Sequence, residues 1–253
     1  MSIVLLTALG VGGATMIGAV IGFLFKKISH TFSDIVIAFA AGVMLCAAVV
    51  GLILPSVTEY GQGDFAILIT ILGVFSGAFC LNLIDKLVPH LHKIVGVENE
   101  EPHHNKNLSK VLLFVLAIGI HNFPEGIAAG VGFGSGDTTH ALIIAGGIAL
   151  QNIPEGLVII NPMLSAGISP KKTFLLAMIT GLVEVVGTLI GYFAVKLASF
   201  ILPFALAFAG GTMLYVISDE MIPETHAHGH QRGATYALLF GFCLMLLLDV
   251  LLG

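Results

Sequence analysis

The chain has 253 residues, of which 57% are hydrophobic and only 10% are charged. A soluble globular domain carries about 25% charged residues, so this composition excludes a soluble enzyme or a nucleic-acid-binding protein and indicates a polytopic membrane protein. The net charge of −5 says little about partners other than the lipid bilayer. Three cysteines, Cys46, Cys80 and Cys243, all lie in apolar runs and indicate packing rather than disulfides.

Eight apolar stretches are long enough to cross a bilayer, which takes about 20 residues. They predict an all-α protein of eight transmembrane helices, arranged as one domain over residues 1–253. The predicted spans cover residues 2–25, 35–56, 64–88, 109–133, 138–162, 172–196, 199–221 and 233–252. The first lacks a basic leading segment and is expected to be retained rather than cleaved. The one long connection, residues 89–108, contains His90, His92, His103 and His104.

Positive charges divide unevenly between the two sides that eight spans create. Nine of the ten lysine and arginine residues flank the connections after spans one, three, five and seven, beginning with Lys26 and Lys27, and the exception is Lys196. An excess of lysine and arginine marks cytoplasmic loops. The loop over residues 89–108 is therefore predicted to be cytoplasmic, and both termini extracytoplasmic, in the cell (inner) membrane.

Two related motifs lie thirty positions apart, HNFPEG at residues 121–126 and QNIPEG at residues 151–156. They fall on spans four and five, which run in opposite directions, so they form an inverted repeat. A weaker repeat relates residues 41–45 and Pro55 of span two to residues 210–214 and Pro223 of span seven. Spans one to three are thus predicted to mirror spans six to eight, with spans four and five as the central pair.

Each motif places a polar side chain four residues before a glutamate, which puts both on one face of a helix. His121 pairs in this way with Glu125, and Gln151 with Glu155. A charge at membrane depth costs about 3 kcal/mol, which makes these glutamates functional candidates. Pro124 and the equivalent Pro154 free a carbonyl one turn earlier, and membranes tolerate this only beside protein or a polar cavity. We therefore expect kinks and a cavity between spans four and five.

A mixed set of imidazole, carboxylates and amides suits zinc, iron(II), manganese, cobalt, nickel or cadmium better than calcium or copper(I). Asn122 and Asn152 lie one step round each helix and can face the same cavity. Glu184, alone among charges in the middle of span six, supplies a third carboxylate. Such oxygen-rich sites bind exchangeably, as a carrier requires, whereas structural zinc sites are usually closed by cysteine and histidine.

Acidic and histidine side chains also crowd the cytoplasmic end of span seven. This pattern is typical of weak metal capture or sensing. The residues are Asp219, Glu220, Glu224, His226, His228 and His230.

The paired motifs on the fourth and fifth of eight spans, with Glu184 and the IPETH sequence ending span seven, resemble the ZIP family of divalent-metal transporters in its prokaryotic form. The resemblance covers nearly the whole chain. It implies uptake of zinc and related cations into the cytoplasm through a binuclear site at the midplane. It also implies an elevator-like motion of spans one, four, five and six against the other four, a homodimer, and no prosthetic group.

Position by position, the resemblance implies a first metal site of His121, Glu125, Gln151 and Glu155, which Met44 of span two approaches. It implies a second site in which Glu125 and Glu155 are shared. The residues added there are Asn122, Asn152 and Glu184. Asp219, Glu220 and His230 match a cytoplasmic exit site loosely. Gln151 stands where many members have histidine, and Asn152 where some have an acid.

Three alternatives remain open from the residues themselves. In channel-like permeation, unlike in a carrier, the metal flux does not saturate as the metal concentration rises. An intramembrane metal-dependent hydrolase needs a tightly held metal, typically with several histidines or an H-E-x-x-H pair, and the chain has neither at membrane depth. A metal-sensing receptor would rest on the cytoplasmic histidines alone.

Overall fold

A computed structural model describes residues 1–25, 28–61, 63, 65–94 and 106–252, and all regular structure within them is helical. Eight long helices follow one another. They are α1 (Ser2–Leu24), α2 (His30–Thr58), α3 (Ala66–Ile94), α4 (Lys106–Gly134), α5 (Thr138–Ser165), α6 (Pro170–Leu197), α7 (Ser199–His226) and α8 (Gln231–Leu252). The all-α membrane architecture predicted from composition is confirmed.

Seven of these helices are long and apolar enough to cross a membrane, judged over the described residues by length and composition. The helix that carries the first motif, α4, is not among the seven, so the number of eight spans stays a prediction. α3 continues to Ile94 and α4 begins at Lys106, so both helices extend into the connection predicted over residues 89–108. Residues 95–105 lie outside the described part, as do Lys26, Lys27 and the side chains of His90 and His92.

Local sequence explains where several helices begin and end. Asp137 precedes α5 and accepts a hydrogen bond from the His140 backbone N–H at 3.0 Å, which caps the helix N-terminus. Ser29 caps α2 through the N–H of Phe32 in the same way. Beyond α5, Gly167 adopts a φ of 85°, a left-handed conformation that suits glycine at a helix end.

Two helices contain a π-helical segment just before a proline. In α2 this segment is Ala47–Ile53, followed by Pro55, and in α7 it is Ile217–Met221, followed by Pro223. π-Helical turns insert one extra residue and often occur at functional sites. Their matching positions agree with the repeat that relates spans two and seven. By contrast, α4 and α5 remain α-helical through Pro124 and Pro154.

The helices pair closely as α4 with α6, α1 with α5, α3 with α7 and α2 with α8. Exchanging α1 with α6, α2 with α7, α3 with α8 and α4 with α5 reproduces the same set of pairs. This is the pattern that the predicted repeat requires.

Because α1 also packs on α6 and α4 on α5, two bundles result: the site bundle (α1, α4, α5, α6) and the companion bundle (α2, α3, α7, α8). The bundles meet chiefly where α2 contacts α5 and where α4 contacts α7.

Glycines bring helix backbones into direct contact inside each bundle. In the site bundle, a methyl group on Gly126 would overlap the carbonyl oxygen of Glu184, and one on Gly156 would overlap that of Thr15. In the companion bundle, Gly42 is equally tight against the Leu238 carbonyl. Such close approach is the usual role of small residues between membrane helices, because it maximises van der Waals contact.

Candidate metal site

Three helices of the site bundle position the motif residues. α4 carries His121, Asn122 and Glu125; α5 carries Gln151, Asn152 and Glu155; and α6 carries Glu184. Six of the seven are buried, with His121 at 7% exposure the most accessible of the six, and Glu155 is partly exposed. The structure therefore places both predicted sets of metal-binding residues within one bundle.

Glu184 is the centre of a buried hydrogen-bond network. Both asparagines donate to its carboxylate through Nδ2, Asn122 to Oε1 and Asn152 to Oε2, the latter at 2.5 Å. Thr15 of α1 donates its hydroxyl to Oε1 at 2.9 Å. Asn152 Nδ2 also donates to the carbonyl of Val11 at 3.2 Å. Glu184 thus joins α1, α4, α5 and α6 through one side chain.

This arrangement leaves several buried oxygen atoms without hydrogen-bond partners. Both asparagines use their Nδ2 groups on Glu184, so their Oδ1 atoms are unpaired. The carboxylate oxygens of Glu125 and the amide atoms of Gln151 make no hydrogen bond of good geometry either. Buried polar atoms are normally satisfied, since leaving one unpaired costs about 1–3 kcal/mol. A set of unpaired carboxylate and amide oxygens is the donor set that a divalent cation would satisfy.

A cavity of about 490 Å³ opens beside the motif residues. We call it the acidic cavity, because its lining includes His121 and Glu155 together with Asp219, Glu220 and Glu224 of α7. Residues of both α4 and α5, the two helices between which a cavity was predicted, line it. The cavity lies between these helices and the companion bundle, with Ile37 of α2 and residues of α7 on the facing wall. The π-helical turn Ile217–Met221 contains Asp219 and Glu220. Its extra residue changes the direction of the side chains, which explains how α7 presents both acids to the acidic cavity.

One contact crosses the acidic cavity between the two bundles. Nε2 of His121 lies 2.8 Å from Oε1 of Glu220. Glu220 is about one-third exposed, whereas His121 is almost buried. A predicted exit residue thus touches a predicted residue of the first metal site.

Two predicted site residues do not line the acidic cavity. Met44 of α2 is fully buried in the main apolar core, which also includes residues of α4 and α5. His230 is exposed on the turn between α7 and α8, outside the lining of the acidic cavity. Among the described residues, no three histidine, cysteine, aspartate or glutamate side chains are arranged so that they could hold a metal ion as they stand. The site depends on amides as well as on these side chains.

Sequence reasoning missed two polar residues that the fold makes prominent. Thr15 holds Glu184 from α1, and its signal was a hydroxyl within a run of small residues that faces other helices. Asp34, near the start of α2, is only 1% exposed. Its signal was a carboxylate within an apolar helix, the same feature that singled out Glu184.

Comparison with known proteins agrees with this geometry. The family model for the ZIP zinc transporters matches residues 96–249. Among curated proteins, zinc transporter GufA of Myxococcus xanthus is 43% identical over 76% of this chain and 74% of its own length. Zinc transporter ZIPB of Bordetella bronchiseptica is 37% identical over 95% of this chain and 78% of its own. Zinc transporter ZupT of Streptococcus mutans is 32% identical over 95% and 94%.

The family match covers both motifs, Glu184 and the acidic end of α7. It therefore includes the Glu184 network and the acids that line the acidic cavity. By the family model and by relatives above 30% identity, the chain belongs to the ZIP zinc transporter family.

Proposed function

We propose that this protein carries zinc, and with it cadmium, iron(II) or manganese, across the membrane into the cytoplasm. The observation that supports this most strongly is the shared lining of the acidic cavity. His121 and Glu155, from the paired motifs, face the same space as Asp219, Glu220 and Glu224 at the end of α7. A cation held by the motif residues therefore has carboxylates ahead of it on one side. The distribution of lysine and arginine makes that side cytoplasmic.

The proposed first metal position uses His121, Glu125, Gln151 and Glu155. A hydrated cation that enters from the extracytoplasmic side exchanges its water for these donors. The two carboxylates offset its charge, and the unpaired oxygens of Glu125 and Gln151 gain a partner. Oxygen and amide donors keep the binding weak enough for release, with Glu220 the first acid that the cation meets.

A second metal position adjoins the first in this proposal and shares Glu125 and Glu155. The unpaired Oδ1 atoms of Asn122 and Asn152 support it, since both are buried and accept no hydrogen bond. Glu184 is already engaged by three donors. In this proposal, the role of Glu184 at the second position is to fix the orientation of the Asn122 and Asn152 amides.

We propose an elevator-like movement in which the site bundle slides against the companion bundle. The distribution of glycine contacts supports this. Inside each bundle, glycines let backbones touch, as at Gly126 and Gly42. Between the bundles, Gly51 of α2 faces only the Ile144 side chain, 3.1 Å from where a Cβ would lie, and Gly147 faces the flexible Met245 side chain. Interfaces made of side chains can rearrange at lower cost than interlocked backbones.

A flux measurement tests the transport function. Proteoliposomes that contain the Glu125→Ala, Glu155→Ala double variant are expected to take up zinc or cadmium no faster than empty liposomes. The matched control is Asp249→Asn, which removes a carboxylate near the far end of α8 and is expected to leave uptake near the wild-type rate. Equal flux in wild type and double variant would refute the proposal.

Members of the family are transporters and not enzymes, so the hydrolase alternative is dropped. Within transport, carrier and channel-like permeation predict different concentration dependences. A carrier binds a limited number of ions in each cycle, so its transport rate reaches a maximum as the zinc concentration rises. A rate that rises in proportion to zinc at every concentration would favour the channel-like alternative.

We also propose a homodimer in the cell (inner) membrane, with both termini extracytoplasmic. The charge distribution between the two sides supports this orientation. Cysteines introduced at residues 2 and 252 are expected to react with a membrane-impermeant thiol reagent added outside intact cells. If the cysteines react only after the membrane is permeabilised, both termini are cytoplasmic, and the proposed direction of transport is reversed with them.

A further inference from the structure

A cluster of three side chains lies at the mouth of the acidic cavity and plays no part in the proposed transport site. His30 and Asp34 come from the first two turns of α2, and His228 comes from the turn between α7 and α8. His30 and Asp34 are four residues apart, so they share one face of the helix. Ile37 and Ala227, which line the acidic cavity, lie one turn beyond Asp34 and next to His228. The cluster therefore borders the route by which a cation would leave.

His228 contacts both of the other side chains. His228 Nδ1 donates to Asp34 Oδ1 at 3.1 Å. The rings of His30 and His228 stack with their centroids 4.6 Å apart and their planes 27° apart. Gly229, which follows His228, has a φ of 85°, so the tight turn that brings this histidine back to α2 depends on glycine.

Asp34 is the feature that packing does not explain. Its side chain is 2% exposed, and its second oxygen, Oδ2, is buried without a hydrogen-bond partner. A buried carboxylate normally has both oxygens satisfied, because each unpaired charged atom carries the full cost of desolvation. The described basic side chain in contact with it is His228, which is about one-third exposed and satisfies only Oδ1.

We infer that His30, Asp34 and His228 form an accessory binding site for a zinc-class divalent cation, one that receives the ion as it leaves the acidic cavity. Two imidazoles and one carboxylate are a donor set that suits zinc, iron(II) and their neighbours, and open positions keep such a site exchangeable. The rings now stack instead of directing their nitrogens at one point, so binding requires them to rotate. Both histidines are accessible enough to do so, while buried Asp34 stays fixed.

The receiving role rests on the proposed function, but the binding itself can be measured apart from transport. The probe is Zn²⁺ in equilibrium dialysis against purified protein whose transport donors are removed by Glu125→Ala and Glu155→Ala. This background is expected to retain one weakly bound zinc. Adding Asp34→Asn or His228→Gln is expected to weaken that binding by about tenfold or more, the usual cost of losing a metal ligand or its support.

The control is His140→Gln, a partly buried histidine in the first turn of α5. His140 belongs to neither metal site, and its side chain lies outside the hydrogen bond and ring stack described above. The variant is expected to leave the zinc affinity unchanged. An equal loss in His228→Gln and His140→Gln would show nonspecific binding by histidines and overturn the inference. So would zinc binding that does not respond to Asp34→Asn.

Two further measurements keep the outcomes separate. If Asp34→Asn lowers the unfolding temperature, the dialysis is repeated with His30→Gln instead. His30 is exposed at the start of α2, so its substitution leaves no cavity in the core. Zinc flux in the wild type and in the double variant reports on the transport site alone. Failure of that flux test would refute the proposed function and leave the dialysis result on the accessory site standing.

Discussion

The two bundles differ in where they keep their polar side chains. The site bundle buries Glu125, Gln151 and Glu184 among its helices, at 0–1% exposure. In the described part of the companion bundle, carboxylates lie nearer the helix ends: Asp219 and Glu220 belong to the π-helical turn of α7, and buried Asp34 lies near the start of α2. One bundle thus holds its polar groups in a fixed internal network, whereas the other presents Asp219 and Glu220 to the acidic cavity.

This contrast teaches how the chain divides two tasks. Selecting a cation requires donors held in a set geometry, which the Glu184 network provides through α1, α4, α5 and α6. Releasing a cation requires donors that are hydrated and can compete for it, which the end of α7 provides. His121 touches both regions, since it belongs to the first motif and contacts Glu220.

The most severe way to disturb the contrast is to remove the centre of the network. Glu184→Ala leaves the Asn122 and Asn152 amides and the Thr15 hydroxyl without their shared acceptor. Each buried donor left unpaired costs about 1–3 kcal/mol in proteins, and the average is nearer 0.6 kcal/mol between membrane helices. We expect a loss of about 2–4 kcal/mol in the free energy of unfolding, measured by denaturant titration in mixed micelles.

The control for Glu184→Ala is Thr188→Val, one turn further along α6. Thr188 is fully buried, but its hydroxyl donates only to the backbone carbonyl of its own helix. Its loss is expected to cost less than about 1 kcal/mol. Equal costs for the two variants would mean that Glu184 does not organise the site bundle.

A smaller effect is expected from a methyl group placed within a bundle rather than between bundles. Gly126→Ala forces α4 away from the backbone of α6 at Glu184, and overpacking of this kind costs about 1–3 kcal/mol. Gly51→Ala meets only the Ile144 side chain across the boundary, with Cγ1 3.1 Å from the new Cβ, and is expected to cost less than about 0.5 kcal/mol. Thermal unfolding of the two variants checks the difference. A larger shift for Gly51→Ala would contradict a boundary made of adaptable side chains.

The contact between the bundles is expected to affect affinity more than stability. In the proposed first metal position, zinc displaces Glu220 from His121, and a partly exposed pair of this kind is worth about 0.2–1 kcal/mol. Glu220→Gln is therefore expected to lower the zinc KM about twofold to fivefold relative to Glu224→Gln. Both variants remove one carboxylate from the acidic cavity, and only Glu220 contacts His121. An identical KM in the two would show that the contact does not compete with metal.

The sequence predicted the helical class and the repeats because both follow from patterns along the chain. Apolar runs mark the helices, and the two motifs mark the central pair. It did not show that α2 and α7 form the facing wall of the acidic cavity, because the argument from Pro124 and Pro154 concerned single helices. The π-helical turn of α7, which presents Asp219 and Glu220 to this cavity, depends on packing between helices that are distant in the chain.

The same limit explains which predicted residues do not line the acidic cavity. Met44 matched a family position, but its side chain is fully buried in the main apolar core. His230 belonged to a histidine tract whose members are alike in sequence. The fold singles out His228, because its contacts with Asp34, 194 positions away, and with the His30 ring distinguish it from its neighbours. Contacts at such separations leave no periodic signal in one sequence.

The mildest expected effect concerns the inequality of the two motifs. Gln151 is fully buried and unpaired where the first motif has His121, so the two halves of the site offer different ligands. Gln151→His replaces an amide by an imidazole. This favours zinc over manganese, because imidazole nitrogen suits zinc, whereas manganese prefers oxygen donors. We expect the ratio of zinc to manganese uptake to rise about twofold to threefold, a change below 1 kcal/mol. Gln151→Asn keeps the amide but shortens its reach, and is expected to slow both metals equally. If Gln151→His and Gln151→Asn change the uptake ratio alike, selectivity does not depend on the ligand at position 151 but on the acids that the cation meets after it.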